Sequence, residues 1–126
     1  MGQILRAVNL WKVYTMGETE VHALQGISLE ISHGEILAIT GPSGSGKTTL
    51  LNCLSSLDSV SQGEIYFEGE NIANISDFER TKLRGERMGF IFQQYQLLPV
   101  LTAVENVELP LLLQNVSSDE ARRRAL

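Results

Sequence analysis

The period of hydrophobic and polar positions changes several times along the chain, and each change marks an element. Ile4–Tyr14 concentrates β-branched and aromatic residues and predicts a strand, with Met16-Gly17-Glu18 as the loop after it. Val21–Ile31 alternates loosely, with Leu29 and Ile31 on one face, before Ser32-His33-Gly34 turns the chain. Glu35–Thr40 is a short apolar run bounded by glycines, the pattern of a buried strand. Gly41–Gly46 is a glycine-rich loop, and Lys47–Leu57 then sets Leu50, Cys53, Leu54 and Leu57 at helical spacing. Ser61-Gln62-Gly63 predicts a turn and Glu64–Glu68 a strand ending at Gly69. Ser76-Asp77-Phe78-Glu79 is a capping box opening a helix to about Arg84, with Gly85 as its stop. Met88–Phe92 predicts a second apolar strand, and Leu101–Gln114 a helix with Pro110 at its start, its end or a kink. Ser117-Ser118-Asp119-Glu120 is another capping box, with Arg122–Arg124 behind it. That helix has no stop signal, and the chain ends at Leu126 as though a longer helix had been cut.

Composition narrows the class. The 126 residues suit one domain, and 43% apolar with 20% charged residues excludes a disordered chain, a collagen-like fibre and a disulfide scaffold. The net charge of −5 argues against coating nucleic acid, so no nucleic-acid partner is expected, although one local site can still oppose the global sign. Cys53 is the sole cysteine, which points to a reducing compartment. No N-terminal signal sequence is visible, and no apolar run approaches the ~18 residues of a spanning helix, so any membrane contact is expected through a partner.

The chemistry sits at Gly41-Pro-Ser-Gly-Ser-Gly46-Lys47-Thr48, which satisfies G-x-x-x-x-G-K-[ST], the phosphate-binding loop. A strand is predicted directly before it and a helix directly after. Successive backbone N–H groups can wrap a phosphate only where side chains do not intrude, hence the alternation of glycine with small residues. The helix that follows points its positive end at the same anion. Lys47 supplies a full charge to the terminal phosphates, and the Thr48 hydroxyl is placed to ligate Mg²⁺. Nucleoside-triphosphate binding follows. The bland alternative is a flexible Gly/Ser linker with Lys47 as a solvated surface charge.

Three stretches in fixed order resemble the N-terminal half of an ABC-transporter ATP-binding subunit, in the lipoprotein-release, macrolide-export and antimicrobial-peptide-transport subgroup. Asn9-Leu10-Trp11-Lys12-Val13-Tyr14 resembles the opening strand, Gly41–Thr49 the phosphate loop, and Met88-Gly89-Phe90-Ile91-Phe92-Gln93-Gln94 the strand entering the Q-loop, continued by Leu97–Val107. The resemblance implies an α/β fold, the P-loop NTPase fold of ABC type, truncated to its N-terminal part. That part comprises an antiparallel β subdomain, the P-loop strand and helix, and the start of a helical subdomain. It implies a division into residues 1–92, the β subdomain and P-loop core, and 93–126, the Q-loop and the start of the helical subdomain. It implies ATP and Mg²⁺ as cofactors. Tyr14 would stack on adenine, a contact worth roughly 1–3 kcal/mol. Gly41, Ser43, Gly44, Ser45, Gly46, Lys47, Thr48 and Thr49 would cradle the phosphates, with Thr48 and Gln93 at the metal. Trp11 is the neighbouring competitor for the stacking role, with core packing its simpler reading, and Gln94 is the register-slip alternative to Gln93. Tyr95–Leu101 would lie near a groove for a helix of the membrane permease. Two such subunits would form a homodimer on the inner face of the cell membrane, coupling ATP binding and hydrolysis to transport.

Other conspicuous residues read as structure: His22 and His33 as surface or turn positions, Cys53 as inert packing, Arg122–Arg124 as a solvated helix face. The family's hydrolytic parts do not occur. No acid follows four apolar residues in strand context, no LSGGQ is present, and the switch histidine has no counterpart. The chain alone is therefore expected not to hydrolyse ATP, to be marginally stable, and to expose the apolar faces of Glu35–Thr40 and Met88–Phe92. The alternatives are a non-catalytic truncated fragment with weak or no nucleotide binding, a small P-loop kinase or GTPase, and an ABC-type protein of translation or DNA repair. The kinase and GTPase would need an Arg-rich lid or an Asn-Lys-x-Asp guanine reader, and neither is present.

Overall fold

β1 (Gln3–Met16) is the strand on which the N-terminal unit is built. Its buried positions are Leu5 and Ala7 near the start but Leu10 and Lys12 further on, so the inward parity switches midway. Asn9 makes the switch: at φ 52° it forms a bulge where β1 carries one residue more than either neighbour. Its N–H donates to Ser28 Oγ at 2.9 Å. Without this bulge, simple alternation would turn Leu10 outward.

The computed structural model describes residues 2–126, in two compact units, one ending at Arg80 and the other Thr81–Leu126. In the first, β2 (Thr19–Ser32), β1, β3 (Gln62–Phe67) and β4 (Glu70–Asn71) form one antiparallel sheet in that order. Leu10, Leu24, Leu54, Ile65 and Phe67 are among its buried residues. Two further bulges lie on β2, at Gly26 and at Ala23, where the pairing steps from Lys12↔Leu24 to Val13↔His22. Gln62 and Gly63, expected in a turn, instead open β3, because Gln62 pairs with Trp11.

α1 (Lys47–Leu54) buries Leu50, Cys53 and Leu54 as its stripe requires, but stops at Ser55. Ser56 takes a left-handed conformation, φ 64°, so the helix ends before Leu57, which stays exposed. Glu35–Thr40 and Met88–Phe92 are not strands. A strand exists through its ladder, and neither segment finds a partner among the described residues. Ile36 is consequently 98% exposed, and Phe92 and Ile91 also face solvent.

α2 (Asp77–Arg87) begins in the first unit and ends in the second. Its capping box is closed at both ends: Glu79 N–H donates to Ser76 Oγ at 3.2 Å and Ser76 N–H to Glu79 Oε2 at 3.3 Å. The helix runs through Gly85, which weakens a helix interior by about 1 kcal/mol without ending it. α3 (Ala103–Leu113) starts at a reciprocal Thr102–Glu105 box and tolerates Pro110 close to its C-terminal end. At α4 (Ser118–Ala125) the box is only half made. Ser117 Oγ accepts from Glu120 N–H, but the Glu120 carboxylate turns forward to Arg123 and Arg124. Arg122 is not merely a solvated charge: its guanidinium binds Glu108 of α3 through two bonds, 2.9 and 2.8 Å.

Candidate functional site

The glycine-rich loop closes on itself through Ser45 N–H to Pro42 C=O, 3.2 Å, and passes directly into α1, where Leu50 N–H reaches Gly46 C=O at 2.9 Å. Gly46 is the helix N-cap and no side chain caps the helix. The amides of its first turn and the positive end of its dipole are therefore available to an anion. Two constraints fix glycine at position 46. Its φ is 96°, and a Cβ there would stand 2.6 Å from the carbonyl oxygen of Ala23, the bulged residue of β2. Gly44, at φ 81°, meets only the first constraint, since nothing lies near its missing Cβ. Lys47 does not extend into solvent. Its ammonium folds over the loop and donates to the carbonyls of Gly41 and Pro42, the latter at 2.8 Å.

The loop forms one wall of a cleft of about 790 Å³, lined by Ser43, Gly44, Ser45, Gly46, Lys47, Thr48 and Thr49. The rest of the lining comes from the sheet: Tyr14 of β1, and Val21, His22, Ala23, Gln25 and Ile27 of β2. Tyr14 and the loop, thirty residues apart in sequence, thus share one cavity. Gly41 lies at the loop's entrance beneath the Lys47 ammonium. Trp11 packs elsewhere, its indole N–H on Asn9 Oδ1 at 3.3 Å and its ring beside Gly26. Gln93 belongs to the second unit, in an exposed turn with Gln94. His22 enters the cleft because the Ala23 bulge shifts the register of β2, which residue pattern alone does not reveal.

Tyr14 is held from several sides. Its hydroxyl donates to Asp58 Oδ2 at 2.8 Å. Lys12, 8% exposed, donates to Asp58 Oδ1 at 3.1 Å and to Ser59 C=O at 2.5 Å. The same ammonium stands over the Tyr14 ring, 5.1 Å from its centroid. Partial burial works against the Asp58 carboxylate, but the bonds from Tyr14, Lys12 and Ser59 N–H outweigh it and hold the group below the usual carboxylate range. The bond to Asp58, with burial, raises the Tyr14 hydroxyl. Burial also pushes the Cys53 thiol up, which suits inert packing rather than reactivity. Among the described residues no three His, Cys, Asp or Glu side chains gather to hold a metal, and no helix is long and apolar enough to cross a membrane.

Residues 24–126 match the sequence profile of the ABC transporter family. An uncharacterized ABC transporter ATP-binding protein of Thermotoga maritima is 46% identical over 125 residues, covering 99% of this chain and 53% of that protein. The lipoprotein-releasing system ATP-binding protein LolD of Psychrobacter arcticus is 42% identical, covering all of this chain and 56% of LolD. Among solved structures, the dimeric post-hydrolysis state of the ATP-binding cassette MJ0796 bound to ADP and Pi superposes with a TM-score of 0.88 at 44% identity, covering 96% of this chain and 53% of the other. MJ0796 comes from Methanocaldococcus jannaschii. The chain spans about half the length of the curated relatives it matches. A glycine loop feeding an uncapped helix, set against an antiparallel sheet and matched by these relatives, makes this chain a member of the ABC transporter family.

Proposed function

We propose that this chain is the nucleotide-docking part of an ABC-transporter ATP-binding subunit and binds Mg-ATP in the cleft between Tyr14 and the Gly41–Thr49 loop. The observation that carries this is the shared cavity, lined both by the Tyr14 ring and by the start of an uncapped helix. The loop fits a polyphosphate. Its glycines leave room no Cβ would allow at position 46, and Lys47 is already held over the loop. Gly44, Ser45, Gly46 and Lys47 would offer backbone amides, Lys47 its ammonium, and Thr48 an oxygen to Mg²⁺; Gln93 is proposed as a metal residue by family resemblance alone. A bound metal would neutralise phosphate charge, and Ser43, Thr49 and Tyr14 would orient the rest of the ligand.

We place the β subdomain and P-loop core at residues 1–92 and the Q-loop with the start of the helical subdomain at 93–126. In the whole subunit, ATP binding and hydrolysis would be coupled to a membrane permease touching Tyr95–Leu101, where Tyr95 and Val100 are among the most exposed apolar side chains. That subunit would pair with a second copy at the cytoplasmic face of the membrane. These 126 residues contain neither LSGGQ nor an apolar strand ending in an acid, so turnover by this chain alone is not expected. Calorimetric titration with Mg-ATP tests the binding claim. Replacing Lys47 by Ala removes a charge-assisted contact of roughly 1.5–3 kcal/mol and should weaken binding by about ten- to a hundredfold. Equal affinity in the two proteins would refute the assignment of the cradle.

A further inference from the structure

We infer that Asp58, together with Lys12, is a positioning residue that fixes the Tyr14 ring as the surface for the base; this rests on the reading of Tyr14 given above. Leu10, Lys12 and Tyr14 follow one another on one face of β1, and at Lys12 that face is buried. An ammonium at such a position loses its hydration and needs compensation. It receives three partners: Asp58 Oδ1, Ser59 C=O and the Tyr14 ring. Two of the three also involve Tyr14, because the other oxygen of the same carboxylate accepts the Tyr14 hydroxyl at 2.8 Å. Ser59 N–H, at 2.8 Å on Asp58 Oδ1, holds that carboxylate in turn. The ring is pinned by its hydroxyl, and one of its faces is occupied by a cation. The second face is the one left to stack.

The position of Asp58 gives this arrangement its consequence. Asp58 lies in the loop that follows α1, tied back to the helix by its own N–H on Asn52 C=O at 3.1 Å. α1 is eight residues, about 12 Å, and starts at the phosphate loop. One short helix therefore meets the phosphates at its first turn and sets the base platform through the loop at its other end. The spacing between base and phosphate sites is built into α1 rather than left to the end of a strand.

The test compares affinities for Mg-ATP and for inorganic tripolyphosphate, which has no base, in the 126-residue chain. Tyr14→Phe keeps the ring and removes the hydroxyl link. Asp58→Asn keeps the shape but can present an acceptor to only one side, so it cannot serve both Tyr14 and Lys12. Each should weaken ATP binding by about three- to tenfold, the loss of one or two ordering hydrogen bonds, while tripolyphosphate affinity stays within about twofold. The double variant should be no weaker than the poorer single, because both cut the same link. ATP binding at the original strength in Tyr14→Phe and Asp58→Asn, with loss in Tyr14→Ala, would overturn the positioning role and leave the platform standing. Unchanged ATP binding in Tyr14→Ala would overturn the platform and this inference with it. An equal loss of ATP and tripolyphosphate in Asp58→Asn would also overturn it, by showing general damage to the fold.

Discussion

Replacing Gly46 by Ala asks whether the phosphate loop is shaped by its own glycines or by the sheet behind it. Ala at φ 96° bears the left-handed penalty of about 1–2 kcal/mol. The added Cβ would stand 2.6 Å from the Ala23 carbonyl oxygen. That oxygen is backbone, fixed in the β2 bulge, so either the helix start or the strand must move, at a further cost of about 1–3 kcal/mol. The sum, about 2–5 kcal/mol, is a large part of the stability of a small domain. Gly44→Ala is the matched control. Its φ is 81°, but nothing lies within 4 Å of the added carbon, so only about 1–2 kcal/mol should be lost. Urea unfolding of both variants, alongside tripolyphosphate titration, measures the difference. Gly46→Ala should be the less stable of the two and the poorer anion binder. If the two variants unfold alike, the contact between loop and bulge is not what constrains the cradle.

Asn106 accepts from Leu98 N–H at 2.8 Å and donates to the carbonyls of Leu98, Leu101 and Thr102, so Asn106→Ala should cost about 1–3 kcal/mol in urea and speed amide exchange at Leu98. The Arg122 guanidinium holds the Glu108 carboxyl below its usual range, so its contribution is complete above the unfolded value near 4.3 and fades as pH falls through the lower folded value. Acid titration of helical circular dichroism should show this loss, and Glu108→Gln should remove that part of it. Tyr14 and Tyr66 are raised by hydrogen bonds to Asp58 and Glu64, so those pairings persist below about 10 and are lost as pH climbs through the folded values. Tyrosinate absorbance should therefore develop late, and Asp58→Asn should bring the Tyr14 component back toward the ordinary range; an unshifted curve in that variant would count against the Tyr14–Asp58 bond.

The sequence was most legible where a local pattern carries its own geometry. The Gly41–Thr48 spacing, the stripe of α1 and the box at Ser76 all act within a few residues, and the structure has them. It was less legible where pairing partners decide. Glu35–Thr40 and Met88–Phe92 have strand composition, yet composition supplies no ladder. The bulges at Asn9, Gly26 and Ala23 were equally hidden, although they set the inward parity of β1 and bring His22 to the cleft. Asp58 offered no local signal at all, because its partners Lys12 and Tyr14 lie more than forty residues earlier. The Glu108–Arg122 pair joins two helices whose facing sides are known only once they pack.

One cleft, lined by the Tyr14 ring and the start of α1, is proposed to receive a nucleoside triphosphate. Amide shift mapping by nuclear magnetic resonance tests it most directly, with Mg-ATP added stepwise to the labelled 126-residue chain. Saturable shifts are expected at Gly44–Thr49, accompanied by shifts at Tyr14 and along Val21–Gln25, with tripolyphosphate reproducing the first set and not the second. Shifts confined to residues outside the cleft, or none up to millimolar ATP, would contradict it.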